Sequence, residues 1–337
     1  MAAHTLHGRR TLAVVPSRGR VLKRILVGRA MSSDRLGETL LPKRIALPVF
    51  ASDPLSSVAY APDEILLTLG LAGGALALTN SWKVALAVVV VMVVVVASYR
   101  QNVHAYPSGG GDYEVATVNL GPRAGVGVAS ALLVDYVLTV AVSISSGVQN
   151  AAAAFEFVRG HEVEVAVGLI VFLTAINLRG VRESGSLFAL PTYLFMVSIL
   201  AMAVVGAVRH QRGTLPQAES AALELLPEPG YEALGTLAMA FLFLRAFSSG
   251  CAALTGVESI SNGVPAFRRP KSHNAATTLL LMGIIAITLL VSMVTLARWT
   301  GVQFAEDPAT QLAVDGSSAN WTPVHRAKVT IETSREI

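Results

Sequence analysis

Residues 85–97 are thirteen consecutive apolar side chains, eight of them valine. In water a valine run reads as a buried strand, but strands are usually only about 5–6 residues long. Here apolar neighbours extend the run into a twenty-residue candidate span at 84–103. That length suits a helix crossing roughly 30 Å of hydrocarbon. Six further stretches qualify, at 43–78, 124–154, 163–178, 187–208, 234–263 and 275–297. No stretch alternates as a closed barrel requires. The expectation is an all-α membrane protein: a basic juxtamembrane segment at 1–42, a seven-helix transmembrane region at 43–298 and a polar, extracytoplasmic tail at 299–337.

Composition excludes the main alternatives. The chain is 53% hydrophobic and 14% charged, with a mean hydropathy of +0.58, whereas soluble domains carry about 25% charged residues. That argues against an ordinary soluble enzyme and against disorder. A length of 337 residues would suggest about two soluble domains, but seven crossings and their loops use it as one bundle. Cys251 is the lone cysteine and permits no internal disulfide. The seven histidines lack zinc-ligand spacing. No nucleophile elbow or nucleotide motif occurs, so neither an enzyme nor a cofactor is expected.

The net charge of +4 informs only when sorted by loop. Seventeen Lys/Arg fall on residues 1–44 and the loops after spans 2, 4 and 6, and eight fall on the other side, with Arg245 inside span 6. The positive-inside rule then puts the N-terminus in the cytoplasm of a multi-pass plasma-membrane protein. The basic stretch from Arg9 to Arg29 lacks the interleaved aromatics of a nucleic-acid arm and the apolar core of a secretion signal. It reads as a segment lying against anionic lipid.

Two spans carry interruptions. Span 1 contains Ser52-Asp53-Pro54-Leu55-Ser56-Ser57 between apolar halves; proline removes a backbone donor and disfavours helix at the preceding residue, which predicts unwinding at Asp53. Span 6 contains Ser248-Ser249-Gly250-Cys251-Ala252-Ala253-Leu254-Thr255-Gly256 before Val257-Glu258. Paired interruptions at membrane depth point to a binding site.

Acids in hydrocarbon cost about 2.5–3.5 kcal/mol at a helix centre, and three lie here: Asp53, Asp135 and Glu258. Asp135, Thr139 and Ser143 recur at helical spacing on one face of span 3. Buried negative oxygens suit a hard cation. An amino-acid substrate brings its own carboxylate, which Asp53 would repel. Plainer readings stand beside these. They are Asp53 as a helix cap alone, Glu258 bridged to Arg245, and the hydroxyls bonded back to their own helices. A buried carboxylate without a partner also binds protons readily, so one acid, with Glu258 the first candidate, is expected to carry the coupling proton.

Four blocks carry a family resemblance: Asp53-Pro54-Leu55-Ser56-Ser57-Val58-Ala59-Tyr60, Tyr106-Pro107-Ser108-Gly109-Gly110-Gly111-Asp112-Tyr113, Leu133-Val134-Asp135-Tyr136 continuing to Ser143, and Ala246-Phe247-Ser248 continuing to Glu258. They resemble the amino acid–polyamine–organocation (APC) superfamily. Within it they are most similar to the KUP-type high-affinity bacterial potassium importers, often described as amino acid permeases. The resemblance runs from about residue 21 to 308. It implies a LeuT/APC-like inverted repeat with discontinuous helices 1 and 6, and potassium–proton symport. By the resemblance the potassium ligands are Asp53, Tyr60, Asp135, Tyr136, Ser143 and Thr255, with Glu258 a further acidic site residue. The glycine-rich block reads as a tight turn at the membrane edge, since no P-loop lysine or Rossmann strand flanks it.

The resemblance stops short of the family's later helices, and residues 318–337 match nothing in it. A fold truncated after the seventh helix is therefore expected, with no defined oligomer. Three functions follow: a secondary potassium transporter or its N-terminal half, an amino acid or amine permease, and an inactive remnant or partner subunit.

Overall fold

The computed structural model describes residues 40–178, 181–305, 311–314 and 317–318. The basic segment up to residue 39 and most of the expected tail lie outside the described residues. The long elements are α1 (Lys43–Gly70), α2 (Gly74–Ala105), α4 (Pro122–Ala154), α5 (Glu162–Asn177), α6 (Val181–Gln211), α7 (Thr236–Gly250) and α9 (Lys271–Thr300). Between them lie the short helices α3 (Gly111–Leu120) and α8 (Ser259–Asn262).

Five segments among the described residues are long and apolar enough to cross a membrane: Gly74–Ala105, Pro122–Ala152, Ala189–Gln211, Thr236–Asn262 and Lys271–Thr300. The other two expected spans are helical but differ in kind. α1 carries Lys43, Arg44, Asp53, Asp63 and Glu64, and α5 has only 16 residues. The expected boundary near residue 78 moves back to a turn at residues 71–73, where Gly73 takes φ +101°. A left-handed or mirror-extended backbone of this kind favours glycine.

α1 is the axis of the bundle. It packs against α2, α6, α7 and α9, and Leu55, Val58, Ala61, Ile65 and Leu69 along it are at most 1% exposed. The valine run turns Val88 and Met92 fully inward and leaves Val90, Val93 and Val94 more than half exposed, as a helix with one lipid-facing side should. α4 and α5 are far more open: no residue of α5 is buried, and Leu133, Val134, Val137 and Leu138 of α4 are exposed. At one end, strands β1 (Glu224–Leu225), β2 (Leu312–Val314) and β3 (Ser317–Ser318) pair antiparallel in that order. Leu225 lies 3.0 Å from where a Cβ on either Gly70 or Gly74 would sit, and a Cβ on Gly74 would collide with Gln303. Within the segment expected as a polar tail at 299–337, Leu312 and Ala313 are buried.

The expected break of helix 1 at Asp53 is corrected: α1 runs unbroken through Pro48, Pro54 and Pro62. With no break, Asp53 does not act as a cap either. The physical reason lies in the orphaned acceptors. A proline in a helix frees the carbonyl four residues earlier. For Pro54 that carbonyl belongs to Phe50, and the Ser259 hydroxyl of α8 donates to it at 2.6 Å. For Pro48 it belongs to Arg44, and the Tyr193 hydroxyl of α6 donates to it at 2.7 Å. Hydroxyls from neighbouring helices therefore replace the missing amides, and the helix need not unwind.

Removing either hydroxyl leaves a carbonyl without its donor, a cost of about 1–3 kcal/mol where buried. Ser259→Ala is expected to lower the melting temperature of the chain in lipid nanodiscs. Pro54→Ala combined with Ser259→Ala should recover most of that loss, because residue 54 then supplies its own amide. Additive losses in the double-mutant cycle would contradict the assignment.

Candidate functional site

The second expected interruption is real. α7 ends at Gly250, a 3-10 turn covers Cys251–Leu254, the chain bends at Gly256 with φ +84°, and α8 restarts at Ser259. α1 lies flush against this bend. A Cβ on Gly256 would come within 2.5 Å of the Asp53 Oδ2 and 2.9 Å of the Pro54 Cδ. A Cβ on Gly250 would meet Ile65 at 2.7 Å. Two glycines thus let the broken segment approach the α1 side chains more closely than any other residue allows.

Three carboxylates from three elements lie within electrostatic reach of one another here, though among the described residues no three acids stand close enough to hold one metal ion between them. Asp53 comes from α1, Asp135 from α4 and Glu258 from the bend before α8. Asp135 lies close enough to act on both Asp53 and Glu258, and Asp53 acts on Glu258. Among the described residues, no lysine or arginine acts on Asp53 or Glu258. Glu258 is 8% exposed, and its Oε1 is buried without a hydrogen-bond partner among the described residues. The Arg245 bridge is absent: Arg245 is exposed and donates from Nη1 to the Tyr231 hydroxyl at 3.3 Å. Tyr136 stands beside Glu258 and accepts from Asn262 Nδ2 at 2.7 Å.

The remaining expected ligands lie on two adjoining cavities. Tyr60 and Ser143 line a chamber of about 540 Å³ between α1, α4 and α6. Tyr60, Thr139 and Thr255 line a groove of about 460 Å³ between α1, α4 and α7. Tyr60 borders both, with its hydroxyl donating to Ser57 Oγ at 2.9 Å. The Ser143 Oγ is buried and unpartnered among the described residues, so the reading that it merely bonds back to its own helix is not met. Asp53, Asp135, Tyr136 and Glu258 line neither cavity. The expected residues therefore form a carboxylate group and a hydroxyl group, joined along α1.

The glycine-rich block forms the expected tight turn. Gly109, Gly110 and Gly111 all have positive φ, and a Cβ on Gly109 would strike Pro265 at 2.5 Å. The turn ends in α3, whose Asp112 accepts from the Tyr99 hydroxyl at 2.7 Å and acts on Glu258. Sequence reasoning treated Asp112 only as part of the turn. It also passed over Asp63, which faces the larger chamber, and Glu64, which faces the groove. The signal was available: Ser52, Ser56, Tyr60 and Asp63 follow helical spacing on one face.

Gly256→Ala is expected to strain φ and drive a methyl into the Asp53 carboxylate, lowering the melting temperature sharply. Gly127→Ala, whose Cβ would meet nothing within 4 Å, should leave the melting temperature unchanged or raise it slightly, since alanine favours the helix by about 1 kcal/mol. Equal effects would contradict the close approach at Gly256.

Comparison with known proteins agrees with this architecture. Residues 50–313 match the family described as amino acid permease. The potassium transporter KimA of Bacillus subtilis (strain 168) is 42% identical over 280 residues, covering 83% of this chain and 45% of that protein. The chain thus spans a little under half the length of that relative. The family is one of transporters rather than enzymes, and its fold is the LeuT-like one. With the match covering most of its length, the chain belongs to the amino acid permease family of the APC superfamily.

Proposed function

We propose that the chain binds potassium within a proton-coupled secondary active transporter of the cell membrane, with its N-terminus in the cytoplasm. The observation that carries this reading is that Asp53, Asp135 and Glu258 lie within electrostatic reach of one another and, among the described residues, no lysine or arginine acts on Asp53 or Glu258. Carboxylates withdrawn from water need a counter-charge or a proton. A cation held there supplies the first and a coupling ion the second. The similarity to a potassium transporter supports potassium as the cation.

In this reading Asp53 and Asp135 supply charge, while Tyr60, Tyr136, Ser143 and Thr255 supply neutral oxygens that replace waters of hydration. Glu258, buried with an unpartnered oxygen, carries the proton. The transmembrane unit comprises residues 43–298, with the segment before it on the cytoplasmic side.

The family's description favours an amino acid substrate instead. Against that stands α1 itself. A zwitterion's carboxylate needs free amides at an unwound helix, and α1 keeps its helical bonding past Asp53. The acid at that position would also repel the substrate.

Cells lacking their own potassium uptake are expected to accumulate radioactive rubidium when expressing the chain. Asp53→Asn and Asp135→Asn should each cut uptake at least about tenfold, the effect of some 1.4 kcal/mol. Collapsing the pH gradient should depress uptake, and Glu258→Gln should remove that dependence. Amino acid uptake without rubidium uptake would overturn the potassium assignment, and indifference to the gradient would overturn the coupling.

A further inference from the structure

The chamber of about 540 Å³ holds an acid that the transport reading does not use. Asp63 lies ten residues beyond Asp53 on α1, about 15 Å along the axis at 1.5 Å per residue. It is therefore too far away to share an ion with Asp53. The chamber is lined by the polar residues Ser52, Ser56, Tyr60, Ser143 and Asn150, and no lysine or arginine lines it among the described residues.

The orientation of these oxygens selects the charge of a guest. Ser56 spends its proton on the Asp53 carbonyl at 2.8 Å, Ser52 on the Val49 carbonyl at 3.4 Å and Tyr60 on Ser57 Oγ at 2.9 Å. Asn150 donates its amide to the Ser146 carbonyl at 2.9 Å. The three hydroxyls, having spent their protons, present lone pairs, while Asn150 offers its carbonyl oxygen and one further amide hydrogen. A chamber of acceptors with one carboxylate suits a cation and repels an anion.

Size decides the form of that cation. Six waters at about 30 Å³ each fill roughly 180 Å³, well within the chamber. The walls therefore accept an alkali cation with its water shell and do not strip it by fit. Tyr60 and Ser143, two of the proposed transport ligands, line this chamber, and Tyr60 also borders the groove that holds Thr255, so the chamber adjoins the transport site at these residues while Asp63 lies beyond it.

We propose that Asp63 and its oxygen-lined chamber form a second, staging site for a hydrated alkali cation, distinct from the carboxylate group at Asp53. The inference rests on the potassium reading above and adds a second site to it.

The test is the infrared difference spectrum of the full chain in lipid as N-methylglucamine chloride is exchanged for rubidium chloride. The wild type should show changes in carboxylate stretching. In Asp53→Asn/Asp135→Asn a carboxylate change should persist, half-saturating at about tenfold or more higher rubidium because the cation keeps its shell. Asp63→Asn should remove that persistent component, and Asp63→Glu, which preserves the charge, should keep it at a shifted frequency. If the double variant shows no carboxylate change, or if Asp63→Glu leaves the persistent frequency unmoved, the staging site is overturned while the potassium reading stands. If rubidium evokes no carboxylate change in the wild type, both fall together.

Discussion

A carbonyl oxygen left without its amide inside a membrane must find another donor, and in this chain that need ties the bundle together. Pro54 frees the carbonyl of Phe50, and Ser259 of the broken segment fills the vacancy at 2.6 Å. The bond holds the bend at Gly256 against α1, so that the Asp53 carboxylate lies where a Cβ on that glycine would be. It also fixes the position of Glu258, one residue before the donor, relative to Asp53. A second hydroxyl, from Tyr193, does the same for Pro48 at the start of α1. The prolines are thus attachment points for neighbouring helices rather than points of fracture.

This arrangement has an electrostatic consequence. Close packing of α1 against the bend brings Asp53 and Glu258 within reach of one another and of Asp135. Packing alone would not favour such a grouping, since each buried like charge raises the cost of the next. The surrounding structure does little to relieve it: Arg245 is turned away toward Tyr231, and a Glu258 oxygen and the Ser143 hydroxyl remain unpartnered among the described residues. Polar groups left in this condition are a standing demand for something mobile and positive, which a transporter can supply and release.

Much of this was legible from sequence because it depended on local chemistry. Apolar length marked the helices, the glycines of the span 6 interruption marked its bend, and acids in apolar stretches marked Asp53, Asp135 and Glu258. The failure at helix 1 was equally physical. Proline announces a missing donor, but whether the helix breaks depends on a replacement, and Ser259 lies 209 residues away from Phe50. Asp63 was passed over because its neighbours, Ser143 and Asn150, come from another helix. The division of the candidate residues between a carboxylate group and two hydroxyl-lined cavities depends likewise on how separate helices are placed, which no spacing within one helix records.

Anomalous diffraction from crystals of the chain grown with rubidium tests the central claim most directly. The account predicts a peak in direct contact with oxygens of Asp53 and Asp135, weakened in Asp53→Asn crystals. A rubidium peak that avoids both carboxylates, or one that persists at full height in that variant, would contradict it.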